Sequence, residues 1–543
     1  MGCCGTKVDH AASAKYMVDF RREKAEPFQT LIMGIKDQNL TGKVYLSGPG
    51  ASDEKLRESL GQALAKTGSG VRLSTSMDEY DAMWDVAWHN TKMTSGLQAF
   101  SFTKPYFPRG KAMVQVLDSL AQHSWVPTAG PNFGGPISDK ASADWPCIIF
   151  GKDDGRYTPN ALFMAVKDQN VPGKLCVAGP PDEVAKLKDP LLQALQRKCG
   201  ASVTCDFDEY DTNQDWDAVF QNTSVTSGAA AFSFAKPYFP KGNVVMGFLE
   251  ETYRLGWRLV AAPNFGGNDV DWPCFIFRQL ASPPSSPPQL LMGAIKDQNI
   301  PGKVCFAGAE AKEVAQAISK ALNEKTKQAT NVEKDEYDND YDEVVRNTVM
   351  TNGSFTFGLD YFPKCLPMVT MLNTMNELGW SLAAAPNFGG MGATWPSFIW
   401  EKRDEAVRSA FVAIKDQNIP GKVCIGGVGQ NEALRGALLK GLGAVTVNAV
   451  HEQKDSWDTD FDMSFKNTAM TTGSQPFSFQ NAWFPYGFPL EIVVSEMAQQ
   501  GFKAVGGPNF GAGKLSWSAL VFETSGEAPA QASMGEAAAA NSM

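Results

Sequence analysis

Lys36, Asp37, Gln38 and Asn39 stand in a row directly after the apolar run "TLIMGI", and the same four residue types return at 167–170, 296–299 and 415–418. A cation, a carboxylate and two amides at the end of an apolar strand make either a hydrogen-bonded turn or the rim of a site. A second polar set follows in each case: "NTKMTSG" (90–96), "NTSVTSG" (222–228), "NTVMTNG" (347–353) and "NTAMTTG" (467–473). A third is "AGPNFGG" (129–135), "AAPNFGG" (261–267 and 384–390) and "GGPNFGA" (506–512). A shared site would combine Lys36, Lys167, Lys296 and Lys415 with Asn39, Asn170, Asn299 and Asn418. To these it would add Asn132, Phe133, Asn264, Phe265, Asn387, Phe388, Asn509, Phe510 and the aromatics of "KPYFP". Such a set recognises a small ligand or a protein partner through a few polar groups on an aromatic floor. The same Pro-Asn-Phe-Gly segment also reads as a plain hairpin turn, with Pro ending a strand and Gly allowing positive φ. A glycine-rich loop cradles phosphate where it opens a helix. These loops lead into strands such as "WPCFIF", so nucleotide binding is not expected.

Other chemistries are tested by whether their residues recur. His10, His89, His123 and His451 have no counterparts at equivalent places, which removes a repeated histidine base or zinc site. The segments "DEYDAMWD" (78–85), "DEYDTNQDWD" (208–217), "DEYDNDYD" (335–342) and "KDSWDTDFD" (454–462) are rich in aspartate. In the last two, alternate aspartates resemble the start of a calcium loop. Glu343 and Met463 replace its sixth-position Gly, and Val349 and Ala469 its final Glu, so an EF-hand is excluded. The aspartates then serve as caps of a short helix, or as an irregular divalent-cation site. Eight of the ten cysteines lack paired spacing and sit in or near apolar runs, as buried thiols do. Neither a metal nor a cofactor is expected.

The chain starts "MGCCGTK". Gly2 with Thr6 fits the pattern for N-myristoylation, and Cys3 and Cys4 are placed for palmitate. The segment resembles the dual-acylation signal of many eukaryotic membrane-anchored proteins. That resemblance implies lipid attachment at Gly2, Cys3 and Cys4 and a place on the cytoplasmic face of a membrane, plasma or ciliary/flagellar. One acyl chain holds a protein marginally, whereas two hold it durably.

Composition agrees. With 543 residues, 43% hydrophobic and 20% charged, the chain can fill several cores. A net charge of −10 argues against nucleic acid as a partner. No apolar run reaches the ~18 residues of a membrane-spanning helix, and the first twenty residues lack the apolar core of a secretory signal.

The recurrences place every candidate group on one repeated unit. The sequence divides into an anchor segment (1–26), module 1 (27–152), module 2 (157–278), a Pro/Ser linker (279–288), module 3 (289–402), module 4 (407–524) and a low-complexity, disordered tail (525–543). Each module has the size of an independent domain. Strand-like runs alternate with helices such as "DEKLRESLGQALAKTG", where Leu56, Leu60 and Leu64 share a face and Gly68 suits the C-terminus. The expected class is α+β or α/β: four tandem two-layer modules, each with a mixed sheet of about five to six strands and two to three helices. The functional expectation is a lipid-anchored binding or scaffold protein engaging a membrane through acyl chains and a protein or small ligand through its modules. The alternatives are an enzyme with one site per module, against which the missing histidine, nucleophile elbow and metal quartet count, and a calcium-binding protein.

Overall fold

The computed structural model describes residues 10–23, 29–36, 42–68, 70–74, 81–95, 106–138, 141–167, 173–228, 238–266, 271–297, 302–336, 338–352, 361–390, 393–403, 405, 407–415, 421–446, 449–472, 483–511 and 516–524. Gly2, Cys3, Cys4, Asn39, Asn170, Asn299, Asn418 and the tail lie outside them.

Ahead of module 1 runs a helix that the sequence reading does not anticipate, α1 (His10–Glu23). Module 1 contains β1 (Thr30–Lys36), β2 (Gly42–Ser47), α2 (Glu54–Thr67), β3 (Arg72–Ser74), β4 (Val86–Thr91), α3 (Gly110–Gln122), β5 (Trp125–Ala129), β6 (Asn132–Ser138) and β7 (Ala141–Lys152). α2 starts where Asp53 accepts from the amides of Lys55 and Leu56, and ends at Gly68. It buries Leu56, Leu60 and Leu64. The sheet has seven strands in the order β3-β4-β2-β1-β7-β5, with β6 on the first part of β7. The other three modules repeat this order. All pairings are antiparallel, so the sheet is larger than expected and not mixed.

The acidic segment does not open a helix. Residues 81–85 form turns, and "VAWHNT" continues as β4, because its aromatic and β-branched residues pack on a pleated surface. The cap goes elsewhere: the first amides of α3 and its equivalents bond to the acidic segment of the following module. Lys111 N donates to Asp215 O, Asn243 N to Asp340 O, and Leu366 N to an Asp460 carboxylate oxygen at 3.0 Å.

Those bonds signal how the modules combine. α3 lies between its own sheet and the first two strands of module 2. The helices Gly242–Arg254, Cys365–Glu377 and Gly487–Gln499 do the same to modules 3, 4 and 1. The chain is a closed ring. Its four hydrophobic cores are each built from two successive modules, including one shared by modules 4 and 1. Four independently folded beads are therefore not what forms.

Packing across the seams repeats fourfold. The Phe of each "YFP" or "WFP" enters the next module and meets the ring edge of its Trp. Phe107 and Trp272, Phe239 and Trp395, Phe362 and Trp517, Phe484 and Trp145 have centroids 5.3–5.5 Å apart at 86–90°. At the start of the seam helix stand Gly110, Gly242, Cys365 and Gly487, facing Ala178, Ala307, Gly426 and Ser47. Where the helix residue grows to Cys365, the facing residue shrinks to Gly426.

β5 and its equivalents Trp257–Ala261, Trp380–Ala384 and Phe502–Gly506 touch one another in cyclic order around the ring axis. α1 closes the 4–1 seam, burying Met17 and Phe20 in the shared core. Arg21 bonds both carboxylate oxygens of Glu491 at 2.6 Å and both of Asp85 at 2.9 and 2.7 Å.

Candidate functional site

The recurring residues converge on the seams. Lys36 ends the first strand of its module, Lys167, Lys296 and Lys415 directly follow theirs, and all four are 3–7% exposed. Each lies over the Phe inserted by the preceding module, at 5.0, 4.6, 4.8 and 5.7 Å from Phe484, Phe107, Phe239 and Phe362. Lys167 Nζ is 2.6 Å from Asp211, and Lys36 Nζ is 3.8 Å from Asp81. Burial pulls Lys296 and Lys415 below the usual lysine range, against the nearby aspartates.

A second lysine in each module completes a cluster that sequence alone does not assemble. Lys43 pairs with Asp81. Lys174 pairs with Asp208 and Asp211, Lys303 with Asp335 and Asp338, and Lys422 with Asp455 and Asp458. Asp81, Asp211, Asp338 and Asp458 are each 1% exposed. Burial works against the charge of Lys174, Lys303 and Lys422, and the paired carboxylates outweigh it, so all three stay protonated more firmly than in water. Of the aspartates that resemble a calcium loop, Asp338 and Asp458 are thus held by lysine, while Asp342 and Asp462 accept from the amides of Gly308 and Val428. The signal that pairs them is the Gly-Lys three and four residues after each "DQN", which recurs as faithfully as the Asp segment.

The Asn-Thr sets act on the backbone. Asn90, Asn222, Asn347 and Asn467 adopt φ of 59–64°, where Asn is tolerated better than most residues. Their amides donate to Gly70, Ser202, Ala329 and Ala449 carbonyls at 2.8–3.2 Å. In module 3, Thr351 Oγ1 and N donate to Asp297 at 2.9 Å each. Burial pushes that carboxyl up to about 6.

Asn132, Asn264, Asn387 and Asn509 are buried at 0–2% exposure. Asn264 Nδ2 donates to Asp271 at 2.7 Å, Asn132 Nδ2 to Asp144 at 3.1 Å, and Asn387 Nδ2 to Gly507 O at 3.2 Å, while Asn509 N donates to Asn387 Oδ1 at 2.6 Å. Phe133, Phe265, Phe388 and Phe510 fill the shared cores. The residues before the proline meet at the hub: a Cβ on Gly130 would lie 2.5 Å from Pro263 N, and one on Gly507 2.4 Å from Pro131 N. The fourfold repetition of this segment follows from four strands crossing at one axis. The structure thus brings the lysines to the inserted phenylalanines and sets the asparagines apart, at the hub.

Two cavities break the fourfold pattern. One, of about 200 Å³, opens on the axis and is lined by Arg156, Arg403, Lys503, Asp153, Asp154 and Glu405, among others. The other, of about 180 Å³, lies in the 4–1 seam beside Gly151 and also reaches Lys503. Among the described residues there is no group of His, Cys, Asp and Glu that would hold a metal ion, and no helix is long and apolar enough to cross a membrane.

No protein-family model, characterised protein or solved structure matches the chain.

Proposed function

We propose that this chain is a non-catalytic ring scaffold, tethered to the cytoplasmic face of a membrane by acyl groups on Gly2, Cys3 and Cys4, that presents a binding surface to a protein or small ligand. The observation that carries the scaffold reading is the fate of the recurring polar residues. An enzyme with one site per module needs them accessible. Here each first lysine is buried over a phenylalanine of the preceding module, and each inner aspartate is paired with lysine. The same pairing disfavours calcium binding at Asp338 and Asp458.

The anchor rests on the "MGCC" start. A body with net charge −10 is repelled by an anionic leaflet, so attachment must come from the acyl chains. Metabolic labelling with a myristate analogue, followed by membrane sedimentation, tests it. Wild type takes the label and sediments with membranes; Gly2→Ala does neither. The Cys3→Ser/Cys4→Ser variant takes the label and washes off, as one chain binds only marginally. Equal sedimentation of Gly2→Ala and wild type would remove the anchor from the proposal.

A further inference from the structure

Besides α1, one position near the end of the last strand sets the 4–1 seam apart. Gly151, Arg278, Glu401 and Glu523 are equivalent residues near the end of the last strand of their modules, and the two glutamates reach the preceding module. Glu401 accepts from Tyr253 Oη of module 2 at 2.6 Å. Glu523 accepts from Ser381 Oγ of module 3 at 2.8 Å and from Leu382 N at 2.9 Å. Arg278, 1% exposed, donates to Thr158 O of its own module at 2.6 Å and lies beside Asp118 of module 1 and Asp153 just after it. At the 4–1 seam the place is Gly151. Lys503, the equivalent of Ser381, reaches toward it: its Cε lies 3.9 Å from where a Cβ on Gly151 would be.

The glycine leaves the seam cavity of about 180 Å³. Its walls include Ile149, Phe150, Val494 and Phe502, and its charged lining residues are Lys152 and Lys503, with no carboxylate among the described residues. Lys152 is engaged, donating to His123 O at 3.1 Å and lying 4.0 Å from the Trp125 ring centroid. Lys503 has no carboxylate within ion-pair distance among the described residues. On its axial side stand Arg156, paired with Asp154, and Arg403, paired with Glu401. Lys503 keeps an exposed face, and the protein around it with these cations pulls it below the usual lysine range, against the opposing pull of Asp154 and Asp153. A cavity of about 150 Å³ holds a molecule the size of benzene, so this one has room for a short aliphatic chain.

We propose that the 4–1 seam cavity binds a small amphiphilic carboxylate, its head on Lys503 Nζ in the space left by Gly151 and its apolar body between modules 4 and 1. The inference rests on the reading of the chain as a binding protein and is independent of the acyl anchor, so it is tested on full-length chain made without acylation. Calorimetry with hexanoate, and with hexylamine as the control of opposite charge, is run on wild type, Lys503→Met and Gly151→Glu. A Cβ at 151 meets only ordinary contacts, 3.4 Å to Thr128 Cγ2, so Gly151→Glu can fold and supplies Lys503 with the kind of carboxylate that modules 3 and 4 carry there. Wild type binds hexanoate and not hexylamine, and both variants weaken hexanoate binding by about tenfold or more, as loss of one charge-assisted contact implies. Absence of hexanoate binding by wild type, equal binding of hexylamine, or unchanged affinity in folded Lys503→Met each overturns the proposal. None of these results bears on labelling at Gly2.

Discussion

Replacing Gly426 by Ala tests the ring at a single atom. Gly426 ends the second strand of module 4, at a φ outside the left-handed region that favours glycine. Local propensity therefore predicts a gain, since Gly within a strand is worse than Ala by about 0.5–1 kcal/mol. Packing across the seam predicts the opposite. The new methyl would lie 1.8 Å from Cys365 Sγ and 3.4 Å from Cys365 Cβ, both in the seam helix of module 3. Cys365 is 3% exposed and has one rotatable bond, so it has little room to yield. Overpacking of this kind costs about 1–3 kcal/mol, which leaves a net loss of up to about 2.5 kcal/mol after the local gain. Adding Cys365→Gly recreates the Gly110–Ala178 arrangement of the 1–2 seam and brings stability back to within about 1 kcal/mol of wild type. Urea unfolding followed by tryptophan fluorescence reads both variants. Because every core is shared by two modules, the loss moves the main transition and does not release one quarter of the signal early. A Gly426→Ala chain more stable than wild type, or a double variant no better than the single one, would refute the packing of module 3 on module 4.

Two further outcomes follow from buried charge. Arg21→Leu leaves Glu491, 1% exposed, without its bidentate partner and destabilises the chain by about 3–5 kcal/mol, while Arg21→Leu/Glu491→Leu recovers most of the loss; equal midpoints for the single variant and wild type would remove α1 as the closure of the 4–1 seam. For Asp297, the folded pKa of about 6 lies above the unfolded value, so the folded chain holds the proton more tightly and the penalty present above about pH 6 is relieved as pH falls toward 4. Between pH 7.5 and 5 this adds about 1 kcal/mol of stability in wild type. Asp297→Asn removes that increment, and Asp118, also pushed up to about 6 by burial, contributes one of the same sign that persists in the variant. An unchanged pH slope in Asp297→Asn would show that the carboxyl does not titrate in this range.

The repeats, the hairpin of β1 and β2, and α2 with its Asp53 and Gly68 ends were legible because local rules specify them. The ring was not, although it left marks. "TLIMGIK" is buried at all seven positions, whereas an antiparallel strand with one wet face alternates apolar and polar. The helix Gly487–Gln499 is buried throughout 487–498, where a surface helix has a polar side. Both patterns require a covering layer that one module does not possess. The exchange of size between Cys365 and Gly426 is a third mark, visible only once the two positions are known to face each other. Without that covering layer in view, recurring polar residues resemble a repeated site. Lys167 and its equivalents recur instead because each seam sets a buried lysine over an inserted ring, and Asp211 and its equivalents because each pairs with the second lysine of its module. The acidic segments were misassigned to local helices because the helix they serve, such as Gly242–Arg254, belongs to another module.

Covalent continuity gives this architecture a freedom that four identical subunits lack. In a homotetramer, exchanging one residue alters every interface at once, and a gap such as the one beside Gly151 would be opened four times over, with four times the penalty. A single polypeptide can leave three interfaces sealed with Arg278, Glu401 and Glu523 and vary the fourth alone. Specialisation can then proceed one interface at a time, while the remaining three keep the circle shut.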